Sequence, residues 1–199
     1  SVVAFDAPAH GDSPGSRLYL TDHADCIAAI AGHVGPLHAI VAHSFGAAAV
    51  LLAHGRAGVG ATRTVMVAPN VLIDDSVKRF AKLVALDDAD RVALEAHLAT
   101  SSGIGVASLR LDRLVGTRSS ALLVIHDRAD REVPVTHGER LAEVWADTTL
   151  RTPEGLGHRR ILRDPAVIAE IAAFASVGVQ PPISDLVREV DRLLDGQAG

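Results

Sequence analysis

The sequence has 199 residues, of which 48% are hydrophobic, and its formal net charge of -5 combines scattered residues of both signs. This length and hydrophobicity indicate one folded domain with a sizeable core rather than a disordered chain. The scattered charge argues against a nucleic-acid or anionic-membrane surface, and no apolar run is long enough to be a membrane span. Cys26 is the one cysteine, so an internal disulfide is excluded and a buried structural thiol is expected.

The chain begins with a short apolar run, Val2–Phe5, which predicts a strand. The strand leads into a loop over Asp6–Gly15, which is rich in Gly, Pro, Asp and Ser, the residues that turns require. His10 and Ser13 in this loop could be reactive groups, but we expect the loop to be structural.

A helix is predicted next, with Thr21 or Asp22 as its N-cap residue. It should end near His33, because Gly35 and Pro36 follow and together stop a helix.

The stretch His38–Gly46, read as H-A-I-V-A-H-S-F-G, combines a strand, a serine and a helix start. Ala39–Ala42 is typical of a short buried strand, and the small and apolar residues after Gly46 predict a helix. A chain that turns from strand to helix so quickly strains its central residue, Ser44, and needs small neighbours. The hydroxyl then stands beside a helix N-terminus, which favours negative charge. A serine is also a common helix N-cap, so this motif alone leaves both roles open.

The rest of the predicted core alternates strands with helices. The strands are Thr64–Ala68, Ala121–Ile125 and Thr148–Leu150, and the helices are Val135–Ala146 and a segment from Asp164 to Ala175. Strand, helix and strand at this spacing predict parallel βαβ units and an α/β fold.

Residues 70–120 interrupt this alternation, because their apolar residues recur at helical spacing in three pieces. The sequence therefore predicts a core over residues 1–69 and 121–177 with a helical insert between its halves. Asp87 and Asp88 are candidate caps within the insert. Residues 178–199 are predicted to form a linker and an amphipathic helix that docks on the domain; a homodimer contact is the alternative.

The Ser44 motif resembles the nucleophile elbow of the α/β-hydrolase family, whose usual pattern is Gly-x-Ser-x-Gly, with Ala42 in place of the first glycine. The loop after Val2–Phe5 is similar to the family's D-x-P-G-H-G-x-S loop, with Ala9 replacing one glycine. The resemblance implies a mostly parallel sheet flanked by helices, an insert that acts as a cap over the active site, and a serine hydrolase that needs no cofactor. We expect no metal site, since no histidines have zinc-ligand spacing.

The resemblance also implies a catalytic triad in the chain order serine, acid, histidine. Ser44, Asp130 and His158 occur in that order, each just beyond a predicted strand. The serine would attack an acyl carbon, the histidine would accept its proton, and the acid would orient the histidine. Asp127 is the alternative acid, although it occupies a glycine position of the family's H-G-x-x-D-x-x-V-P segment. His126 is the alternative base, although a structural role is expected for it.

The backbone amide of Phe45 is expected to donate to the oxyanion, and His43 is expected to pack or to line the pocket. In the family, a second oxyanion donor comes from the loop after the third strand, which this sequence does not contain. Val2–Phe5 corresponds to the fourth strand, so we expect the 199 residues to be an incomplete domain that is poorly soluble and weakly active. The strand should either stand apart from Ala39–Ala42 or move inward towards it.

The function implied by the resemblance is hydrolysis of a small to medium carboxylic ester through an acyl-enzyme. The same triad also serves lactones, amides, C–C bonds and cofactor-free peroxidase chemistry, and a non-catalytic member of the fold is a further alternative. The expected partner is a small ester-like molecule, with no nucleic acid and no membrane involved, and the expected location is the cytoplasm.

Overall fold

The computed structural model describes residues 1–115 and 120–179, in which a four-stranded sheet is flanked by helices. The strands are β1 (Leu37–His43), β2 (Ala61–Val67), β3 (Ala121–Ile125) and β4 (Thr148–Arg151). They lie in the order β1-β2-β3-β4, and every pairing is parallel. The predicted α/β fold with a parallel sheet is therefore confirmed.

Seven α-helices accompany these strands in the described residues. They are α1 (Leu20–Val34), α2 (Phe45–Ala57), α3 (Ile73–Leu83), α4 (Asp88–Ser102), α5 (Thr136–Val144), α6 (Gly157–Arg160) and α7 (Pro165–Ser176). Short 3₁₀ turns occur at Val106–Ser108, Leu111–Leu114 and Ile161–Arg163. None of these helices is long and apolar enough to cross a membrane.

The central strands are apolar on both faces because helices cover both faces. Successive side chains of a strand point to opposite sides of the sheet. Met66 and Val124 accordingly join a cluster with α1 and α2, whereas Val65 and Leu123 join a second cluster with α7. All four strands run in one direction, so the segments that follow them meet at one edge of the sheet.

The predicted strand Val2–Phe5 does not form, and this expectation was wrong. A strand needs a neighbour for its backbone hydrogen bonds, and no described segment pairs with the outer edge of β1. Val2 is 96% exposed, so it buries almost nothing. Since the segment is not a strand, it does not pair with the Ala39–Ala42 region as a strand that had moved inward would. The incomplete-domain hypothesis itself stays a prediction.

Several predicted helix ends and side-chain environments are also resolved. α1 begins at Leu20 with Tyr19 as its N-cap residue, so the expectation of Thr21 or Asp22 as the N-cap was wrong; Asp22 lies in the first turn and accepts a hydrogen bond from the amide of Tyr19 (3.0 Å). Gly35 follows the last residue of α1 with a φ of 88°, as a helix stop requires. Cys26 is partly exposed, which corrects the expectation of a buried thiol.

The stretch 70–120 divides into two parts that differ in burial. α4 contains no buried residue and α3 contains only Ala81, so this part lies on the core. Leu109, Leu111 and Val115 are instead members of the main buried cluster, so the expectation that the whole insert rests outside the core was wrong for this part. Apolar side chains at these positions fill space between α2 and α5, and that burial is why the segment belongs to the core.

A buried carboxylate reinforces the second part of the insert. Asp112 is 2% exposed and accepts hydrogen bonds from Arg110 (3.0 Å) and from Arg140 of α5 (2.9 Å). Burial would raise the pKa of Asp112, but the two guanidinium groups outweigh it and lower that pKa.. The predicted C-terminal helix lies outside the described residues.

We expect α3 and α4 to open before the sheet. Their few buried side chains give little free energy to resist local unfolding, whereas Met66 in β2 is fully buried. Native-state hydrogen exchange should show amides of α4 exchanging faster than those of β2, with Leu111 exchanging at a rate closer to β2. Exchange in α4 as slow as in β2 would contradict this prediction.

Candidate active site

Ser44 lies between the last residue of β1 and the first residue of α2, in a backbone conformation that non-glycine residues rarely adopt. Its φ is 51°, a strain that costs on the order of 1–3 kcal/mol in such sites. The Ser44 amide donates to the carbonyl of Val67 in β2 (3.0 Å), and its carbonyl accepts from the amide of Ala47 (3.1 Å). These bonds on both sides hold the residue in the strained turn.

Crowding does not explain the glycine at position 46. A Cβ atom at Gly46 would meet no atom of the described residues within 4 Å, so the expected need for a small neighbour is not seen on that side. Gly46 instead lines the cleft in front of Ser44.

The structure brings Ser44, His158 and Asp130 into one chain of hydrogen bonds. The Ser44 Oγ lies 2.8 Å from His158 Nε2, and His158 Nδ1 lies 2.7 Å from Asp130 Oδ2. A carboxylate only accepts, so Nδ1 carries the proton and Nε2 is left as the acceptor for the serine hydroxyl. His158 lies in α6, a four-residue helix that follows β4. The three side chains therefore have the order and the tautomer that proton transfer from a serine needs.

The carboxylate of Asp130 is held by its own loop. Its Oδ1 accepts from the amides of Glu132 (2.8 Å) and Val133 (2.9 Å), while Oδ2 faces His158 and also lies 3.4 Å from His126 Nε2. Burial would raise the pKa of Asp130, but the hydrogen bonds from Val133, His158 and Glu132 together lower it. Asp130 is therefore ionised at neutral pH and able to stabilise a positive charge on His158.

Asp127 does not touch His158, and its two carboxylate oxygens are used by backbone amides. Oδ1 accepts from Ala129 (2.7 Å) and Oδ2 accepts from Leu156 (2.6 Å), which lies just before α6. Asp127 therefore ties the loop after β3 to the segment that carries His158. The sequence indicated that Asp127 follows β3. Nothing in the sequence indicated its hydrogen bond to the amide of Leu156, 29 residues further along the chain.

His126, the alternative base, is fully buried and not in contact with Ser44. Its Nε2 donates to the carbonyl of Val133 (3.0 Å), and burial lowers its pKa, so the ring is neutral. Space for this ring depends on Gly138 of α5, because a Cβ there would lie 2.8 Å from His126 Nδ1. The structural role expected for His126 agrees with these contacts.

His43 immediately precedes Ser44 and contacts His158. Its Nε2 lies 3.0 Å from the backbone carbonyl of His158, so it must donate, and the two rings are 4.7 Å apart. Burial lowers the pKa of His43, so the ring is neutral beside His158. The sequence suggested that His43 packs or lines the pocket; both are seen, but the bond to the His158 backbone could not be predicted from it.

An open cleft of about 600 Å³ lies in front of Ser44 and His158. The amide of Phe45 belongs to the first turn of α2, whose amides have no acceptor within the helix, and its residue lines this cleft. His10 also lines the cleft, whereas Ser13 uses its hydroxyl to donate to the carbonyl of Asp6 (2.7 Å). Within the described residues, no group of three or more His, Cys, Asp or Glu side chains is arranged to hold a metal ion.

The fold and site agree with a comparison against protein-family models. The model of the alpha/beta hydrolase family matches residues 1–171. The chain therefore belongs to the alpha/beta hydrolase family, and it is a hydrolase by membership. A search of curated proteins finds no match.

Solved structures of esterases and lipases have a similar fold. The chain resembles the monoacylglycerol lipase of Paleococcus ferrophilus at 20% identity and a TM-score of 0.63, covering 87% of this chain and 82% of that one. It also resembles Est1E of Butyrivibrio proteoclasticus, solved with ferulic acid, at 18% identity and a TM-score of 0.64. This match covers 86% of this chain and 76% of that one. The esterase RhEst1 of a Rhodococcus species matches at 18% identity and a TM-score of 0.58, covering 86% of this chain and 78% of that one. At these identities the likeness concerns the fold.

We expect Asp130→Asn to lower kcat by on the order of 10⁴, the loss known for this change in serine proteases. The asparagine would give its carbonyl to the loop amides and turn its NH₂ to His158 Nδ1, which would move the ring proton to Nε2. Steady-state kinetics on an activated ester should show this loss. Asp127→Asn is the control: it disturbs a backbone anchor and should cost stability more than rate. Equal rate losses would reassign the acid.

We expect His43→Leu to lower kcat roughly three- to ten-fold, the value of one lost hydrogen bond that positions His158. His43→Gln should recover most of the rate, because its amide can donate to the same carbonyl. Kinetics and thermal melting of both variants separate positioning from folding. A leucine variant with unchanged kcat would show that this bond does not position His158.

Proposed function

We propose that the protein hydrolyses small to medium carboxylic esters through a Ser44–His158–Asp130 triad and a seryl acyl-enzyme. The observation that carries this proposal is the pair of hydrogen bonds, 2.8 Å and 2.7 Å long, that joins Ser44 to Asp130 through His158. The pair lies beside an open cleft that can admit a small molecule. Family membership supports a hydrolase in general, and the triad and the ester class are the finer claims.

Acylation would begin when Ser44 Oγ attacks the ester carbonyl carbon and passes its proton to His158 Nε2. The imidazolium that forms is stabilised by the ionised Asp130, which stays unprotonated. The Phe45 amide would donate to the oxygen that becomes negative, a contribution worth about 2.7–4 kcal/mol for one such donor in other enzymes. The intermediate then collapses: the alcohol leaves with the proton from His158, and Ser44 keeps the acyl group.

Deacylation repeats the same steps with water as the nucleophile. His158 would accept a proton from water as it attacks the acyl carbon, then return the proton to Ser44 Oγ as the carboxylic acid departs. No redox step or external electron carrier enters this balance. His43 would hold the His158 backbone through both halves of the cycle.

The choice of esters is supported by the cleft and by the similar proteins. Monoacylglycerol lipase and two esterases share the fold, and this fold-level analogy supports esters without excluding the other substrates that the same triad can attack. Lactones, amides and substrates with a scissile C–C bond should be assayed beside esters, but they are not proposed separately. A non-catalytic member of the family would fail to react with a fluorophosphonate, which makes that alternative directly distinguishable.

We expect Ser44→Ala to abolish both fluorophosphonate labelling and ester hydrolysis, leaving a rate lower by 10³-fold or more. The change removes only the hydroxyl, so circular dichroism and melting temperature should stay close to those of the parent. Ser13→Ala is the matched control, because Ser13 lies in the loop beside the cleft but donates to a backbone carbonyl. Labelling that persists in the Ser44 variant would place the nucleophile elsewhere.

A further inference from the structure

Three rings stand side by side at the cleft that contains Ser44. His23 of α1 stacks on Phe45, with ring centroids 6.0 Å apart and planes 30° apart. Phe5 meets the same His23 ring edge-on, at 5.9 Å and 76°. All three residues line the cleft, and we name them the aromatic wall.

The aromatic wall does not belong to the core. Phe5 is 41% exposed and Phe45 is 38% exposed, and neither is a member of the two buried apolar clusters. The whole chain has four phenylalanines, one tyrosine and one tryptophan, so two of its few large aromatic side chains lie at this cleft. Rings that are ordered against each other but left half open to a cleft offer an apolar face to a ligand.

The wall is electrically neutral. Burial is the main cause that lowers the pKa of His23, with a smaller contribution from its neighbour His10, so the His23 ring is uncharged at neutral pH. The charged groups of the cleft are engaged with other partners. Asp6 accepts from the amide of Asp12 (3.1 Å), and Glu132 pairs with Arg159 (3.1 Å). The aromatic wall is therefore an uncharged face in a cleft whose lining also contains charged side chains.

We propose that the aromatic wall binds the aryl group of an uncharged ester and thereby selects esters that carry an aryl group as substrates. This inference rests on the proposed function and narrows its substrate class. Phe45 provides both the candidate oxyanion amide and one ring of the wall, so we expect the aryl group of a bound ester to lie near the scissile carbonyl. One short spacer, as in a phenylacetyl or a benzyl ester, meets that requirement.

Aromatic recognition can be separated from simple apolar burial by replacing a planar ring with a saturated one. A phenyl and a cyclohexyl group bury similar apolar area, but only the phenyl group has the quadrupole that favours stacked and edge-to-face contacts. We expect a preference for the aryl ester of roughly three- to ten-fold, the size of one good aromatic pair.

The test compares kcat/KM within two matched substrate pairs. Methyl phenylacetate against methyl cyclohexylacetate examines the acyl side, and benzyl acetate against cyclohexylmethyl acetate examines the alcohol side. Wild-type protein should prefer the aryl member of at least one pair. Phe5→Leu and His23→Leu should reduce that preference towards unity. Phe80→Leu, the same change at an exposed ring on α3 outside the cleft lining, should leave it unchanged.

A binding measurement keeps the inference independent of turnover. In the Ser44→Ala variant the esters stay intact, and an NMR titration should show tighter binding of the aryl member of the same pair. If the wild type hydrolyses no ester and is not labelled by a fluorophosphonate, the proposed function fails. The NMR titration then tests by itself whether the aromatic wall binds an aryl group. Equal affinities and equal kcat/KM within both pairs, or a preference unaffected by Phe5→Leu and His23→Leu, would overturn the inference.

Discussion

The hydrogen bond from His158 Nδ1 to Asp130 Oδ2 is the interaction on which the proposed chemistry depends. It decides which nitrogen of His158 carries the proton, and so whether the other nitrogen can accept from Ser44. Much of the surrounding structure serves to hold its two ends. Loop amides fix one oxygen of Asp130, Asp127 ties the segment before α6 to the loop after β3, and His43 donates to the His158 backbone.

The parallel sheet explains why residues so far apart in sequence meet. Ser44 follows β1, Asp130 follows β3 and His158 follows β4, and the carboxyl ends of parallel strands lie at one edge of the sheet. The buried central strands make that edge rigid, whereas the weakly buried α3 and α4 can move without disturbing it. Strain at Ser44 is tolerated because bonds to β2 and α2 fix the turn on both sides.

Local pattern in the sequence was enough to predict the strands β2, β3 and β4, whereas the meeting of Ser44, Asp130 and His158 was implied by the resemblance to the α/β-hydrolase family. β2 and β3 contain runs of apolar residues, whereas β4 (Thr148–Arg151) has only Leu150 as an apolar residue. Val2–Phe5 has the same local pattern yet forms no strand, because pairing depends on a neighbour that local pattern does not reveal. The burial of Leu111 in the main apolar cluster was not predicted for a related reason. Helical spacing shows that one face of a helix is apolar, but it does not show what packs against that face.

Long-range contacts of single side chains were also beyond prediction. Nothing near His43 indicates a bond to a carbonyl 115 positions away, and nothing near Phe5 indicates stacking around His23. These contacts depend on the final packing of α1, α2 and α6 around the cleft. They are also the contacts that distinguish this site from a bare triad, since they position the base and shape the cleft.

The most direct test of the account is to trap the acyl-enzyme and locate it. Wild-type protein would be quenched in acid during turnover of an activated ester and digested with trypsin, and the peptide between Arg17 and Arg56, whose one serine is Ser44, would be measured by mass spectrometry. The account predicts that this peptide gains the mass of the acyl group at Ser44 during turnover and that the gain is lost when the ester is exhausted. Acylation at another residue, or turnover with no acylated peptide under conditions where deacylation is slow, would contradict it.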